Sequence, residues 1–188
     1  MTDISRRKFA AAAVAGLGVA ATAPAIAQRR YPPMAGAGGL TAGDWMNQVR
    51  AQHSAIDRQF QVLKRPLGLG ARRAGLMTLK TMLTAHSIAE ETALYPGVVL
   101  MVDRGEGDRL YREQQEAKVM LAEIDNMMAM GRTGDFLGRL TALESAIKAH
   151  VAEEENDAYP RLMRAANPMM NAKMTADFRM SFNRYYNG

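Results

Sequence analysis

The sequence predicts an all-α protein: an up-down-up-down four-helix bundle, with an N-terminal signal segment before it and a short extra helix after it. Three observations carry this. From about residue 41 onward apolar residues recur at three- and four-residue steps, and no stretch alternates with period two. Clusters of Gly and Pro cut this pattern into long pieces. The joins between pieces are short, which makes successive helices antiparallel neighbours.

Thr41 and Asp44 are suited to cap a first helix over 42–64, which Pro66, Gly68 and Gly70 end. A second helix is expected over 71–95, closed by Pro96. Gly105 and Gly107 mark the turn before a third at 108–130. The stretch GRTGD (131–135) is a tight connection to a fourth helix over 135–159, stopped at Pro160. Asn167-Pro168 reads as the cap and first turn of a fifth, shorter helix ending in RYYNG. The bundle therefore occupies 41–165 and the C-terminal extension 166–188.

At 188 residues, 48% hydrophobic and 23% charged, the chain is sized for one domain with a proper core. Of the formal charge of +5, Arg6, Arg7 and Lys8 lie in a segment that reads as removable, and the remaining basic residues are spread out rather than gathered into a run with interleaved aromatics, so the sequence carries no nucleic-acid footprint. The absence of cysteine excludes disulfides, Fe–S clusters, thiolate metal sites and cysteine nucleophiles. There is no glycine-rich phosphate loop.

Ahead of the bundle, SRRKFA (5–10) places paired arginines before an Ala/Gly-rich apolar run that ends in the small-x-small triplet Ala25-Ile26-Ala27. This resembles a twin-arginine export signal over 1–27, cleaved before Gln28. A membrane anchor needs about 20 strongly apolar residues, whereas this run is weakly hydrophobic and broken by Pro24, so no stable membrane insertion is expected after cleavage. The implied location is the periplasm. Residues 28–40, rich in Pro and Gly, form a flexible linker.

The chain contains three histidines, and two of them open the same phrase: HSIAEETALYP (86–96) and HVAEEENDAYP (150–160). On a helix a four-residue step stacks two side chains on one face about 6 Å apart, so His86 pairs with Glu90 and His150 with Glu154. Glu91 and Glu155 are one residue further round and are expected to point elsewhere; apart from Glu154, the run 153–155 reads as solvated surface. Leu83, Leu94 and Ile147 flank both pairs at core spacing, and buried imidazoles and carboxylates need a partner, which one metal ion supplies for all of them. His53 lies on the inward stripe of the first helix with Ile56, Phe60 and Leu63, and Gln114 holds the matching frame of the third with Ala117, Leu121 and Ile124. The expected metal cluster is His53, His86, Glu90, Gln114, His150 and Glu154. No histidine is then left for a Ser-His-Asp set.

The order H, HxxxE, Q, HxxxE, with an aromatic-Pro helix end after each HxxxE, resembles the hemerythrin-like, or HHE cation-binding, domain over about 41–163. The resemblance implies non-haem iron, as one or two ions, inside the bundle, and a small ligand such as dioxygen, nitric oxide or peroxide. Its third histidine is replaced here by Gln114, a weaker neutral donor, with Glu113 or Glu116 available to compensate. Three imidazoles and two carboxylates still suffice for one Fe, Mn or Zn ion with an open position. The alternatives are a peroxidase- or ferroxidase-type enzyme and a metal-free interaction bundle. The 15 methionines, clustered in NMMAM and PMMNAKM, read chiefly as flexible core filler.

Overall fold

A computed structural model describes residues 45–187, so the signal segment, the linker and the expected caps Thr41 and Asp44 lie outside the described residues. The described chain is helical with no strand. Its elements are α1 (Trp45–Leu63), α2 (Leu69–Ala93), α3 (Tyr95–Met101), α4 (Arg104–Ala129), α5 (Phe136–Glu153), a single π-helical turn (Glu154–Ala158), α6 (Tyr159–Ala165) and α7 (Pro168–Tyr186). The long helices α1, α2, α4 and α5 close a ring of neighbours, α1 on α2, α2 on α4, α4 on α5 and α5 on α1. No helix among the described residues is long and apolar enough to cross a membrane.

Three departures from the expected elements have plain physical causes. Pro96 follows a break at Leu94 and Pro160 a π turn that keeps the chain helical, and each lies in the first turn of the next helix, α3 or α6. Proline lacks an N–H, and a first-turn N–H has no intrahelical acceptor anyway. Gly105 and Gly107 do not form a turn. They lie inside the start of α4, capped by Asp103, whose side chain accepts from Glu106 N at 2.8 Å. At Gly107 a Cβ would sit 3.1 Å from Val99 N and 3.2 Å from Val99 Cα, so glycine lets α3 and α4 close on each other.

The third departure is α7. At 19 residues it equals α1 in length and lies along α2, burying Met174, Phe178, Phe182 and Tyr186. Asn167 caps it as expected, accepting from Met170 N at 2.9 Å. Trp45 joins α1 to α7: its ring N–H donates to Asn171 Oδ1 at 2.9 Å and its backbone N–H to Thr175 Oγ1 at 3.1 Å. The methionines divide. Met46, Met82, Met128 and Met174 fill the core as expected, whereas Met130, Met169 and Met180 are exposed.

Ion pairs outside the core hold the register. Buried Glu144 of α5 accepts from Gln61 Nε2 of α1 at 2.8 Å and pairs with Lys64 and Lys148. Arg161 of α6 reaches Glu106 of α4 at 2.6 Å. Because α7 contributes core side chains, Phe178→Ala should lower stability by about 3–5 kcal/mol in urea unfolding; a loss near zero would make α7 an appendage.

Candidate metal centre

His53 comes from α1, His86 and Glu90 from α2, Gln114 from α4, His150 from α5 and Glu154 from the π turn, and all six are buried. Glu90 and Glu154 are wholly inaccessible, at 0% exposure. His53, His86 and Glu90 each offer a ligand atom within 4.8 Å of the others, and so do Glu90, His150 and Glu154. Glu90 belongs to both triplets. The four-residue steps act as the helical geometry requires, with His86 Nε2 3.2 Å from Glu90 Oε2 and His150 Nε2 3.2 Å from Glu154 Oε1.

Each imidazole is oriented from behind. His53 Nδ1 donates to Glu155 Oε1 at 2.7 Å, His86 Nδ1 to Gln52 Oε1 at 2.8 Å and His150 Nδ1 to Glu113 Oε2 at 2.8 Å. These oxygens can only accept, so Nδ1 carries the hydrogen and Nε2 of every ring faces the centre. Glu155 was expected to point away; instead it crosses to His53. Glu113 does not enter as a substitute donor but holds His150, and Glu91 turns outward to Gln115 and Lys118 as expected.

Two tyrosines complete the interior. Tyr95 Oη lies 2.7 Å from Glu154 Oε1 and 3.0 Å from His150 Nε2, and Tyr159 Oη lies 2.8 Å from both Glu90 Oε1 and Glu154 Oε1. Both close the repeated phrase, nine residues after its histidine, and that shared position is the signal that could have found them. The π turn sets the second: Tyr159 donates its backbone N–H to Glu154 O, five residues back.

Three buried polar atoms at the centre are left over. His53 Nε2, Gln114 Oε1 and Glu154 Oε2 are buried without an aligned hydrogen-bond partner, although the first and last stand 3.4 Å apart. A buried polar atom left unpaired costs about 1–3 kcal/mol, so a common cation is the partner that suits all three. The donor set of imidazole and carboxylate is that of Fe, Mn or Zn.

The hemerythrin HHE cation binding domain matches residues 46–162. The chain belongs to that family. A DNA nickase from Nostoc sp. (strain PCC 7120 / SAG 25.82 / UTEX 2576) is 29% identical over 97 residues, 52% of this chain and 27% of that protein, so the chain spans about a quarter of that relative's length. No solved structure matches the chain.

The hemerythrin-like centre is strongly polarised. Burial opposes a charge on His53, but Glu154, Glu155 and Glu90 outweigh it and hold its pKa well above the ordinary imidazole value. Burial opposes a charge on His150 too, and Glu154, Glu90 and Glu113 still lift it to about 9. Burial and repulsion from His53 and His150 keep His86 well below that value. Burial would raise Glu154, but His150 and His53 hold it well below the carboxylate range. Glu90 is pushed up to about 7 by burial and by Glu154. In the metal-free protein, protons on His53 and His150 thus face the carboxylates where a cation would.

His150 binds its proton more tightly folded than unfolded, so its contribution to stability is present below its ordinary pKa of 6.5 and is lost as pH rises through about 9. The thermal midpoint of metal-free protein is therefore expected to fall across that window, and His150→Asn to flatten the decline, as read by circular dichroism.

Proposed function

We propose that this hemerythrin-like chain is an exported protein that holds non-haem iron, as one or two ions, and binds or senses a small ligand such as dioxygen, nitric oxide or peroxide. His53, His86 and His150 would hold the metal through Nε2, and Glu90 and Glu154 through carboxylate oxygens, Glu90 being common to both donor triplets. Gln114 offers its amide oxygen as the weakest donor. Bound iron would supply Lewis acidity and a reversible redox couple with a position open to ligand. The observation that carries the reading is the convergence of three anchored imidazoles and two buried carboxylates on one interior, where His53 Nε2, Gln114 Oε1 and Glu154 Oε2 have no aligned hydrogen-bond partner.

The small-ligand part rests on a cavity of about 30 Å³ directly above these groups. Ile56, Leu83, Ala117, Leu121, Ile147 and Val151 line its sides, and His53, His86, Gln114 and His150 its floor. One water-sized molecule needs roughly 10–15 Å³ by this measure, so the space admits a diatomic or peroxide and little more. Its walls are mostly apolar, with Thr84, Ser87 and Lys118 also on the lining, and they suit a small uncharged ligand. The up-down-up-down order is our reading of the helix ring, and export to the periplasm that of the paired arginines at the N-terminus.

Elemental analysis of protein purified without chelators should find iron, and His86→Ala or His150→Ala should abolish its retention. Less than one transition-metal ion per few chains of the unmutated protein would favour the metal-free interaction bundle. Steady-state consumption of peroxide or Fe(II) would instead move the reading to an enzyme. Glu155→Ala and Glu113→Ala leave the donor set intact but release His53 and His150, and each should weaken Zn(II) affinity about 10–100-fold in a competition titration.

A further inference from the structure

Tyr95 is fully buried at the centre, and its oxygen has three polar neighbours there. Glu154 Oε1 at 2.7 Å takes its single hydrogen. Gln114 Nε2 donates into its lone pair from 2.6 Å, and His150 Nε2 stands 3.0 Å away. Tyr95 Oη, His150 Nε2 and Glu154 Oε1 together form a triangle with sides of 2.7, 3.0 and 3.2 Å. Ligands at right angles on an ion with bonds near 2.1 Å stand about 3 Å apart. The triangle therefore has the dimensions of one face of a coordination octahedron.

Gln114 explains why a further donor is needed. It occupies the position where the HHE pattern carries its third histidine, yet its amide nitrogen is committed to Glu90 Oε2 and Tyr95 Oη, both at 2.6 Å, and has no lone pair to offer. The same amide that cannot replace an imidazole aims the phenol inward. Tyr159 differs: its oxygen touches both carboxylates but no imidazole.

We infer that Tyr95 is a further metal-binding residue, its phenolic oxygen supplying a stronger donor beside the weak amide oxygen at the Gln114 position; this rests on the metal-binding reading above. On metal uptake the O–H bond breaks, the oxygen keeps the electron pair and the proton leaves to solvent, as metal binding to protonated ligands requires. Tyr159 remains a hydrogen-bond donor that positions Glu90 and Glu154.

The test is to load the full chain with Fe(III), measure iron content, and record visible absorption and resonance Raman spectra. A phenolate bound to ferric iron gives a visible charge-transfer band with enhanced tyrosine ring modes. The unmutated protein and Tyr159→Phe should show both, whereas Tyr95→Phe should lose both at unchanged helix content and bind iron on the order of tenfold more weakly. Full iron occupancy without the band, a band that survives Tyr95→Phe, or one that Tyr159→Phe removes at unchanged iron content would overturn the inference and leave the metal-binding reading standing. Should Tyr95→Phe fail to fold, the unmutated protein and Tyr159→Phe still decide. An unmutated protein that takes up no iron would overturn both readings together.

Discussion

Two carboxylates, Glu90 and Glu154, are withdrawn completely from solvent in the middle of the helix ring, and the rest of the molecule is arranged around neutralising them. A buried ion costs several kcal/mol even after the protein relaxes around it, so such a pair persists only with positive charge beside it. Two of the three imidazoles, His53 and His150, supply that charge as protons while His86 stays neutral, and the inward Nε2 atoms of all three offer the same space to a metal. Proton and cation therefore compete for one pocket. The packing of α1 on α5, secured by Glu144, and of α2 on α4 decides whether the competition is held in register.

Support for the two carboxylates reaches the outermost helix. α7 receives hydrogen bonds from Trp45 at Asn171 and Thr175, and Trp45 meets Tyr159 edge-on with ring centres 5.2 Å apart. Tyr159 Oη in turn lies 2.8 Å from one oxygen of each buried carboxylate. A helix remote from the centre thus fixes, through one indole and one phenol, the floor on which the ligand atoms rest. The walls of the cavity beside these groups are mostly apolar, with Lys118, Thr84 and Ser87 among them.

The inward residues were legible because helical periodicity is local: a step of four predicts that His86 meets Glu90 and His150 meets Glu154, whatever the helices pack against. His53 and Gln114 followed from the phase of their apolar stripes. The residues that orient the rings were not legible, for two reasons. Gln52 and Glu113 contact histidines on other helices, and no spacing within one helix encodes that. Glu155 was assigned outward by α-helical arithmetic, which ceases to hold where the π turn begins at Glu154. The extent of α7 was readable in principle, since Met174, Phe178, Phe182 and Tyr186 recur every four residues. The prolines were misjudged because a residue that halts one helix is equally fit to start another.

The two halves of the repeat reach the same end by unlike means. After Glu90 the chain leaves its helix at Leu94 and begins a new one at Tyr95; after Glu154 it widens through a π turn and never breaks. The interval from carboxylate to tyrosine is five residues in both, whereas the backbone path is not. What the duplicated phrase preserves is a count, not a conformation. A residue gained or lost within either interval would swing one phenol about a quarter-turn off the axis of the bundle, so these short segments are the part of the chain least able to change length.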